Sequence, residues 1–380
     1  MHMKQVTIAV NTRMLIRERL DGICYFAYHT LKRITEAHPE IQFFFIFDRP
    51  YDSSFIFSHN ITPIIIPPST TNPLYTYLWN THYLRTTVQK LHPDLFLAPD
   101  GIIPLDSPIK RLSVIHDINF HHYPHDLKFL SSKFYNSYFP RYAKQASRIA
   151  TVSEYSKNDL ANTYNIDPTK IDVVYNGVGP QFKRIDEKTK IETRNTFSKG
   201  KEYFIFIGSI HPRKNITRLL RAFELFKKRT GSDTKLLIVG QSFWGNRELT
   251  KALAHLTYKT DVVFTGRVDE RELNNLLGSA LSLVQPSYFE GFSVPLIEAM
   301  YAEVPIISSQ TTAMPEIAGD AALYFDPFDI EDMSTVLKTI SADKKLREQL
   351  IEKGIKQRSR FSWDNTAKKL WESIERTLHQ

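Results

Sequence analysis

Short apolar runs recur along the first half of the chain, separated by longer stretches whose apolar residues fall three or four apart. The runs read QVTIAV, IQFFFIF, TPIIIP, DLFLAP, RLSVIHD, RIATV and IDVVYN. Helical spacing covers Ile23 to Glu36 and Phe134 to Gln145. The second half repeats the scheme, with YFIFIG, TKLLIVG, DVVFTG, LSLVQP and VPIISS as strands and helices near Asn215 to Lys228, Glu270 to Leu277 and Val294 to Tyr301. Strands with little polar alternation, separated by amphipathic helices, are the pattern of parallel sheets covered on both faces. The expectation is therefore two Rossmann-like, doubly wound α/β domains. They divide as 1–180 and 181–362, and the break falls in the polar stretch from Gly179 to Gly200. Trp363 to Leu378 carries apolar residues at helical spacing and reads as a terminal helix. Ligands of such sheets bind beyond the carboxyl ends of the strands, which for two sheets predicts a site in a cleft between them.

Composition narrows the class. A chain of 380 residues with 42% apolar and 24% charged content is an ordinary globular protein, long for one core and comfortable for two. Cys24 is the single cysteine, which excludes an intrachain disulfide framework and a multi-cysteine metal site. No apolar run approaches the roughly 20 residues needed to span a bilayer, and no leader pattern opens the chain, so a cytoplasmic location is expected, at most at the inner face of the membrane. The net charge of +8 comes from 49 basic residues interspersed with 41 acidic ones, without an aromatic-and-basic strand of the RNA-reading kind, so nucleic acid is not expected as a partner. That excess suits a diphosphate substrate or weak peripheral contact with an anionic membrane face.

The densest candidate chemistry lies in QPSYFEGFSVPLIEAM, where Glu290 and Glu298 stand eight residues apart across a loop entering a helix. Gly291 and Phe292 lead into Ser293, read as the N-cap, with Pro295 in the first turn and the helix beginning near Val294. The first N–H groups of that helix would seat a diphosphate, and the two carboxylates would accept from hydroxyl pairs of a sugar and a ribose. The plainer alternative is that both glutamates cap and solubilise the helix. GSIHPRKN places Gly208, Arg213 and Lys214 after a strand and before a helix, where two cations could neutralise a departing diphosphate or merely solvate a turn. His116 and Asp117 close the strand RLSVI. Gly22, after Asp21 and before Ile23 and Tyr25, would let backbone approach a phosphate, or follow a plain N-cap at Asp21. His121, His122 and His125 suggest a metal, but Pro124 interrupts the helix that would align them and no carboxylate or cysteine completes the set, so no metal is expected.

The spacing of Glu290 and Glu298 resembles the E-x7-E signature of the family 4 glycosyltransferases, retaining enzymes with the two-domain GT-B fold, whose sheets face across a cleft. The resemblance spans nearly the whole chain. It implies that Glu290 contacts the donor sugar, Glu298 the donor ribose, and Lys214 with Arg213 the pyrophosphate. His116 would touch the sugar ring, the backbone at Arg267 and Val268 would hold the base, and the helix 363–380 would return to the first domain. Two positions depart from the pattern. Ser293 stands where these enzymes commonly have glycine, and Ser209 stands where many have a second arginine.

The implied reaction moves a hexose from a nucleoside-diphosphate sugar to a hydroxyl of a glycan or lipid-linked glycan, without cofactor. GSIHPRKN with LDGICY looks most like mannosyltransferases of surface polysaccharide assembly, which favours GDP-mannose, with UDP-sugars next. No Asp-x-Asp triplet occurs in the chain. A nicotinamide oxidoreductase would need a G-x-G-x-x-G turn, which is absent. A non-catalytic sugar-nucleotide-binding subunit, or another GT-B enzyme such as an epimerase, are the remaining alternatives.

Overall fold

The computed structural model describes residues 5–17, 22–71, 73–241 and 247–380. It divides into two compact units, Met1–Gly177 together with Ser362–Gln380, and Val178–Phe361. Among the described residues the first unit holds a seven-stranded sheet: β1 (Thr7–Asn11), β2 (Gln42–Phe47), β3 (Ile61–Ile65), β4 (Leu95–Ala98), β5 (Lys110–Val114), β6 (Arg148–Thr151) and β7 (Ile171–Val173). Every pairing is parallel and the spatial order is β3-β2-β1-β4-β5-β6-β7. The second unit repeats that order with six strands: β8 (Tyr203–Ile207), β9 (Lys235–Val239), β10 (Val262–Gly266), β11 (Ser282–Gln285), β12 (Ile306–Ser309) and β13 (Ala322–Phe325), arranged β10-β9-β8-β11-β12-β13. Strand order reverses between β1 and β4 in one sheet and between β8 and β11 in the other, and each reversal opens a crevice at the carboxyl ends.

The apolar runs become central strands because helices cover both faces. All five residues of β8 are buried, as are all five of β9. The Ile216–Thr230 helix packs Leu219, Leu220, Phe223 and Phe226 onto the second sheet and ends at Gly231 in the left-handed conformation. In the first unit, Ala9, Phe96, Ile115 and Ile149 join Trp79, Phe139 and Tyr142 in one core.

The Trp363–Leu378 helix belongs to the first unit. Ser362 caps it, Leu370 and Ile374 are buried, and Trp363 stacks on His29 of the Gly22–Ala37 helix at 4.7 Å between ring centroids. Thr366 Oγ1 donates to Tyr175 O at 2.7 Å. The chain passes so close here that a Cβ on Gly177 would lie 2.2 Å from Trp363 N.

Three sequence expectations change. The polar stretch after Gly179 is largely a helix, Glu187–Ser198, whose N-cap Asp186 accepts from Thr189 N. Its polarity reflects an outer face of the second unit. The helix expected from Phe134 begins at Phe129 and contains Pro140. Strand β13 was not among the expected strands, although Gly319 and Asp320 before it and Pro327 after it are turn signals.

Candidate active site

The second sheet's reversal point is built from the ends of β8 and β11. Beyond β8 the chain turns at Gly208, whose N–H donates to Val239 O at 3.0 Å. A Cβ on Gly240, after β9, would lie 2.0 Å from Gly208 O, so glycine at 240 is what lets the two strand ends run so close. A 3-10 turn, Pro212–Lys214, follows, with a His211 ring nitrogen accepting from Arg213 N at 3.4 Å. Asn215 takes the left-handed conformation, and its amide donates to Pro286 O at 3.0 Å and Pro327 O at 2.7 Å. These bonds tie the turn to the loops that follow β11 and β13.

Glu290 receives both cations of the turn. Arg213 Nη1 lies 2.5 Å from Oε2, and Lys214 Nζ lies 2.5 Å from Oε1. Ser287 Oγ donates to Oε1 at 2.7 Å and Gln285 Nε2 reaches the same oxygen at 3.2 Å, while Glu290 N donates to Thr312 Oγ1 at 3.1 Å. Glu290 is only 4% exposed. Burial opposes its ionisation, yet the adjoining Arg213 and Lys214 charges and the hydrogen bonds from Lys214 and Ser287 outweigh it and hold the carboxyl at about 2. The Arg213 Nη1 also donates to Phe289 O at 3.0 Å. Gln285, Ser287 and Thr312 are absent from the sequence reading. Their only sequence signal is polar side chains at the end of a buried strand and in the loops after it.

The helix that follows is Val294–Ala302, with Pro295 in its first turn. Ser293 corrects one expectation. It takes φ 75° and ψ 80°, makes no capping hydrogen bond, and buries its hydroxyl without a partner. A serine caps from extended backbone, whereas this position requires the left-handed region that glycine adopts without strain. The Ser293 side chain therefore satisfies none of the helix's first N–H groups, although its backbone carbonyl accepts from Leu296 N at 3.2 Å. Glu298, one turn inside, is half-buried and forms no hydrogen bond or ion pair among the described residues. Burial, with the charge of Glu270 added, pushes its carboxyl up to about 8. Gly291 and Phe292 are buried, and Phe292 meets the edge of Phe361 at 5.7 Å. Gly266 ends β10 with φ 73°, followed by exposed Arg267 and half-buried Val268.

Gly208, Arg213, Lys214, Glu290, Ser293, Val294 and Glu298 thus belong to one unit, and Gly22 and His116 to the other. His116 lies beyond β5, with Nε2 3.0 Å from Pro99 O and the Phe26 ring edge-on at 5.0 Å. Gly22 opens its helix, and a Cβ there would meet nothing within 4 Å, so its own unit does not demand glycine. Asp21 lies outside the described residues. His122 is not without a carboxylate: its Nε2 is 2.8 Å from Asp159 Oδ1, contributed by the Glu154–Tyr164 helix that sequence adjacency could not reveal. Among the described residues no group of three or more His, Cys, Asp or Glu is placed to hold a metal ion.

The chain matches two family descriptions, "Glycosyltransferase Family 4" over residues 22–182 and "Glycosyl transferases group 1" over residues 187–357. The O-antigen chain mannosyltransferase RfbU of Salmonella typhimurium is 30% identical over 285 residues, covering 74% of this chain and 74% of that protein. The O-antigen chain mannosyltransferase B of Escherichia coli is 27% identical over 262 residues, covering 67% and 68%. Among solved structures, the lipopolysaccharide glycosyltransferase WaaG superposes with a TM-score of 0.73 at 15% identity, covering 96% of this chain and 98% of that one. Anabaena HepE in complex with UDP-glucose gives 0.74 at 14% identity, covering 97% and 99%. Both share the GT-B fold of two parallel-sheet domains.

Proposed function

The chain belongs to the family 4, group 1 glycosyltransferases, and from that membership we propose that it transfers a mannosyl residue from GDP-mannose, with retention of configuration, to a hydroxyl of a glycan or lipid-linked glycan. The two O-antigen mannosyltransferases among its relatives support the sugar and the kind of acceptor. The observation that carries the reading is the convergence of Arg213 and Lys214 on Glu290 beside the start of the Val294–Ala302 helix, at the reversal point of the second sheet.

That arrangement suits a departing diphosphate. One carboxylate against two cations leaves a net positive charge, and the start of the helix adds the positive end of its dipole. In the proposed reaction the acceptor oxygen bonds to the anomeric carbon on the face the diphosphate leaves. The carbon–oxygen bond to phosphate breaks, and the acceptor proton passes to the departing phosphate oxygen. Arg213, Lys214 and the helix N–H groups stabilise the charge that develops on the diphosphate. Glu290 holds the two cations in place, Glu298 accepts from the ribose hydroxyls, and the backbone at Arg267 and Val268 holds the base.

The test is a panel of sugar nucleotides offered to the purified protein. GDP-mannose should give the largest rise in melting temperature, since a ligand at 100 times its Kd stabilises by about 2.7 kcal/mol. With a glycan acceptor it should release GDP and form an α-linkage. Stabilisation by UDP-hexoses alone would move the donor assignment, and binding without turnover would favour a non-catalytic subunit.

A further inference from the structure

Of the phenylalanines described in the second unit, Phe328 is the most exposed, at 51%. It stands in the loop after β13, between Pro327 and Asp329. The fold does not require an aromatic residue there. Asp326 Oδ1 accepts from Phe328 N at 2.8 Å, Asp329 N donates to Asp326 O at 3.1 Å, and the Asp329 side chain caps the Ile330–Ala342 helix by accepting from Glu331 N and Asp332 N. These bonds use the backbone at 328 and leave its side chain undetermined. One apolar side chain in water is ordinary by itself.

What sets Phe328 apart is its company. Its ring stacks on that of half-buried Tyr288, at 5.9 Å between centroids and 25° between planes, and the Arg218 guanidinium lies over it at 5.2 Å. Arg218 Nη1 donates to Asn215 Oδ1 at 3.0 Å, and among the described residues no partner takes its remaining N–H groups. Asn215 in turn donates to Pro286 O and Pro327 O, and Tyr288 N donates to Arg213 O at 3.0 Å. The bonds that hold the Arg213 and Lys214 turn therefore also hold the aromatic pair. The patch is fixed beside that site by the same framework.

We propose that Phe328, Tyr288 and Arg218 form a subsite for one hexose ring of a glycan, separate from the donor contacts. A pyranose ring carries C–H groups on a face rimmed by hydroxyls. The C–H groups suit the electron-rich face of an aromatic ring, and the hydroxyls accept from the N–H groups of a planar guanidinium beside it. The inference rests on the reading of the acceptor as a glycan. It extends that reading by giving the second unit a hold on a sugar other than the transferred one, so that a chain of several sugars binds more tightly than a single sugar. A nucleobase fits less well, because Arg267 and Val268, where the base is proposed to lie, follow β10 at the opposite edge of the sheet from β13. A protein partner also fits less well, since one exposed ring falls far short of the roughly 1,000 Å² that a specific interface buries.

Free trisaccharides of mannose, glucose and N-acetylglucosamine, offered to the full chain with and without GDP, test this by saturation-transfer NMR and calorimetry. Mannotriose is expected to bind, and more tightly than methyl mannoside. Phe328→Ala and Phe328→Leu should each weaken mannotriose binding about tenfold, whereas Phe328→Trp should retain it. Leucine keeps the apolar bulk without a ring, so the pair separates stacking from plain burial. Melting temperature and GDP affinity should stay as in the unsubstituted protein. Binding of another trisaccharide in place of mannotriose, lost in the same variants, would support the subsite and overturn the mannosyl reading alone. Binding of no trisaccharide, or equal affinity in Phe328→Ala or Phe328→Leu and the unsubstituted protein, would overturn the proposal. GDP affinity falling in step in Phe328→Ala would overturn it in favour of a nucleotide contact.

Discussion

Glu290 takes one cation on each carboxylate oxygen, Arg213 on Oε2 and Lys214 on Oε1, both at 2.5 Å. Two neighbouring residues on one turn are thereby fixed through a third residue 76 and 77 positions later. The cations are held apart and aimed before any donor arrives. A preorganised pair of this kind stabilises leaving-group charge without rearranging at the moment of reaction.

Glu290→Gln keeps the shape and removes the charge. Lys214, nearly as buried as its partner, would then be an uncompensated ammonium, and breaking a buried pair in this way costs about 3–5 kcal/mol. The urea midpoint should fall accordingly and turnover should be lost. Because burial, which would raise this carboxyl, is outweighed by the two cations and the hydrogen bonds, which hold it at about 2, well below its ordinary 4.5, its contribution is present above pH 4.5 and is lost as pH falls toward 2. An unchanged midpoint at neutral pH would mean that the pair contributes nothing to stability.

Lys214→Ala should lower turnover about a hundredfold or more, with a smaller effect on the binding of the nucleoside diphosphate product. Arg213→Ala, whose side chain is the more exposed of the two, should cost less. Single-turnover rates with saturating donor measure both. Equal rates in Lys214→Ala and the unsubstituted protein would shift the role to Arg213.

If Arg213, Lys214 and the helix start carry the leaving charge, a strong chelator should leave turnover unchanged. Activity lost in chelator and restored by a divalent cation would instead place a metal in the reaction, with His122 and Asp159, 2.8 Å apart, as the first residues to substitute.

Much of this was legible in the chain because β8 (YFIFI), β4 (LFLA) and the LLIV of β9 are uninterrupted apolar runs. Such runs have few alternatives to a doubly covered parallel sheet. The Glu290, Glu298 and Arg213-Lys214 motifs lie at strand ends, so their residues could be named from sequence. Their mutual geometry could not: which carboxylate oxygen meets which cation depends on how β8 and β11 come to be neighbours although β9 and β10 intervene in sequence. The same holds for Asp159 beside His122. Ser293 failed for a different reason, since a residue type announces its usual conformation and this loop imposes another.

Glu298 gives a pH signature. Burial and the charge of Glu270 raise its carboxyl from 4.5 to about 8, so the folded state holds a proton there that the unfolded chain releases. The sign follows: this group makes the protein less stable as pH rises from 4.5 toward 8, and Glu298→Gln removes that slope. Donor affinity should run the other way, strengthening toward pH 8, because the ionised carboxylate is the better acceptor for two ribose hydroxyls. Thermal denaturation across this range, with and without nucleotide, measures both. Parallel pH profiles for Glu298→Gln and the unsubstituted protein would remove Glu298 from the ribose site.

Ser293 separates backbone strain from hydroxyl chemistry. Its φ of 75° is costly for a residue with a Cβ, by about 1 kcal/mol or somewhat more, and its buried Oγ has no partner. Ser293→Gly should relieve the strain and remove an unsatisfied group, raising stability by about 1–2 kcal/mol. Ser293→Ala removes only the hydroxyl and keeps the strained backbone, so it should gain less. In the donor-bound state the balance is expected to reverse. In the proposed reaction the Ser293 hydroxyl, on a residue 6% exposed at the start of the Val294–Ala302 helix, would donate to a diphosphate oxygen, and a hydrogen bond to a charged group contributes about 1.5–3 kcal/mol. Both variants should therefore weaken donor binding about tenfold, while only Ser293→Gly raises the melting temperature appreciably. Unchanged donor affinity in both would show that Ser293 merely occupies a glycine's place. Weaker binding in Ser293→Gly alone would assign the effect to backbone freedom and not to the hydroxyl.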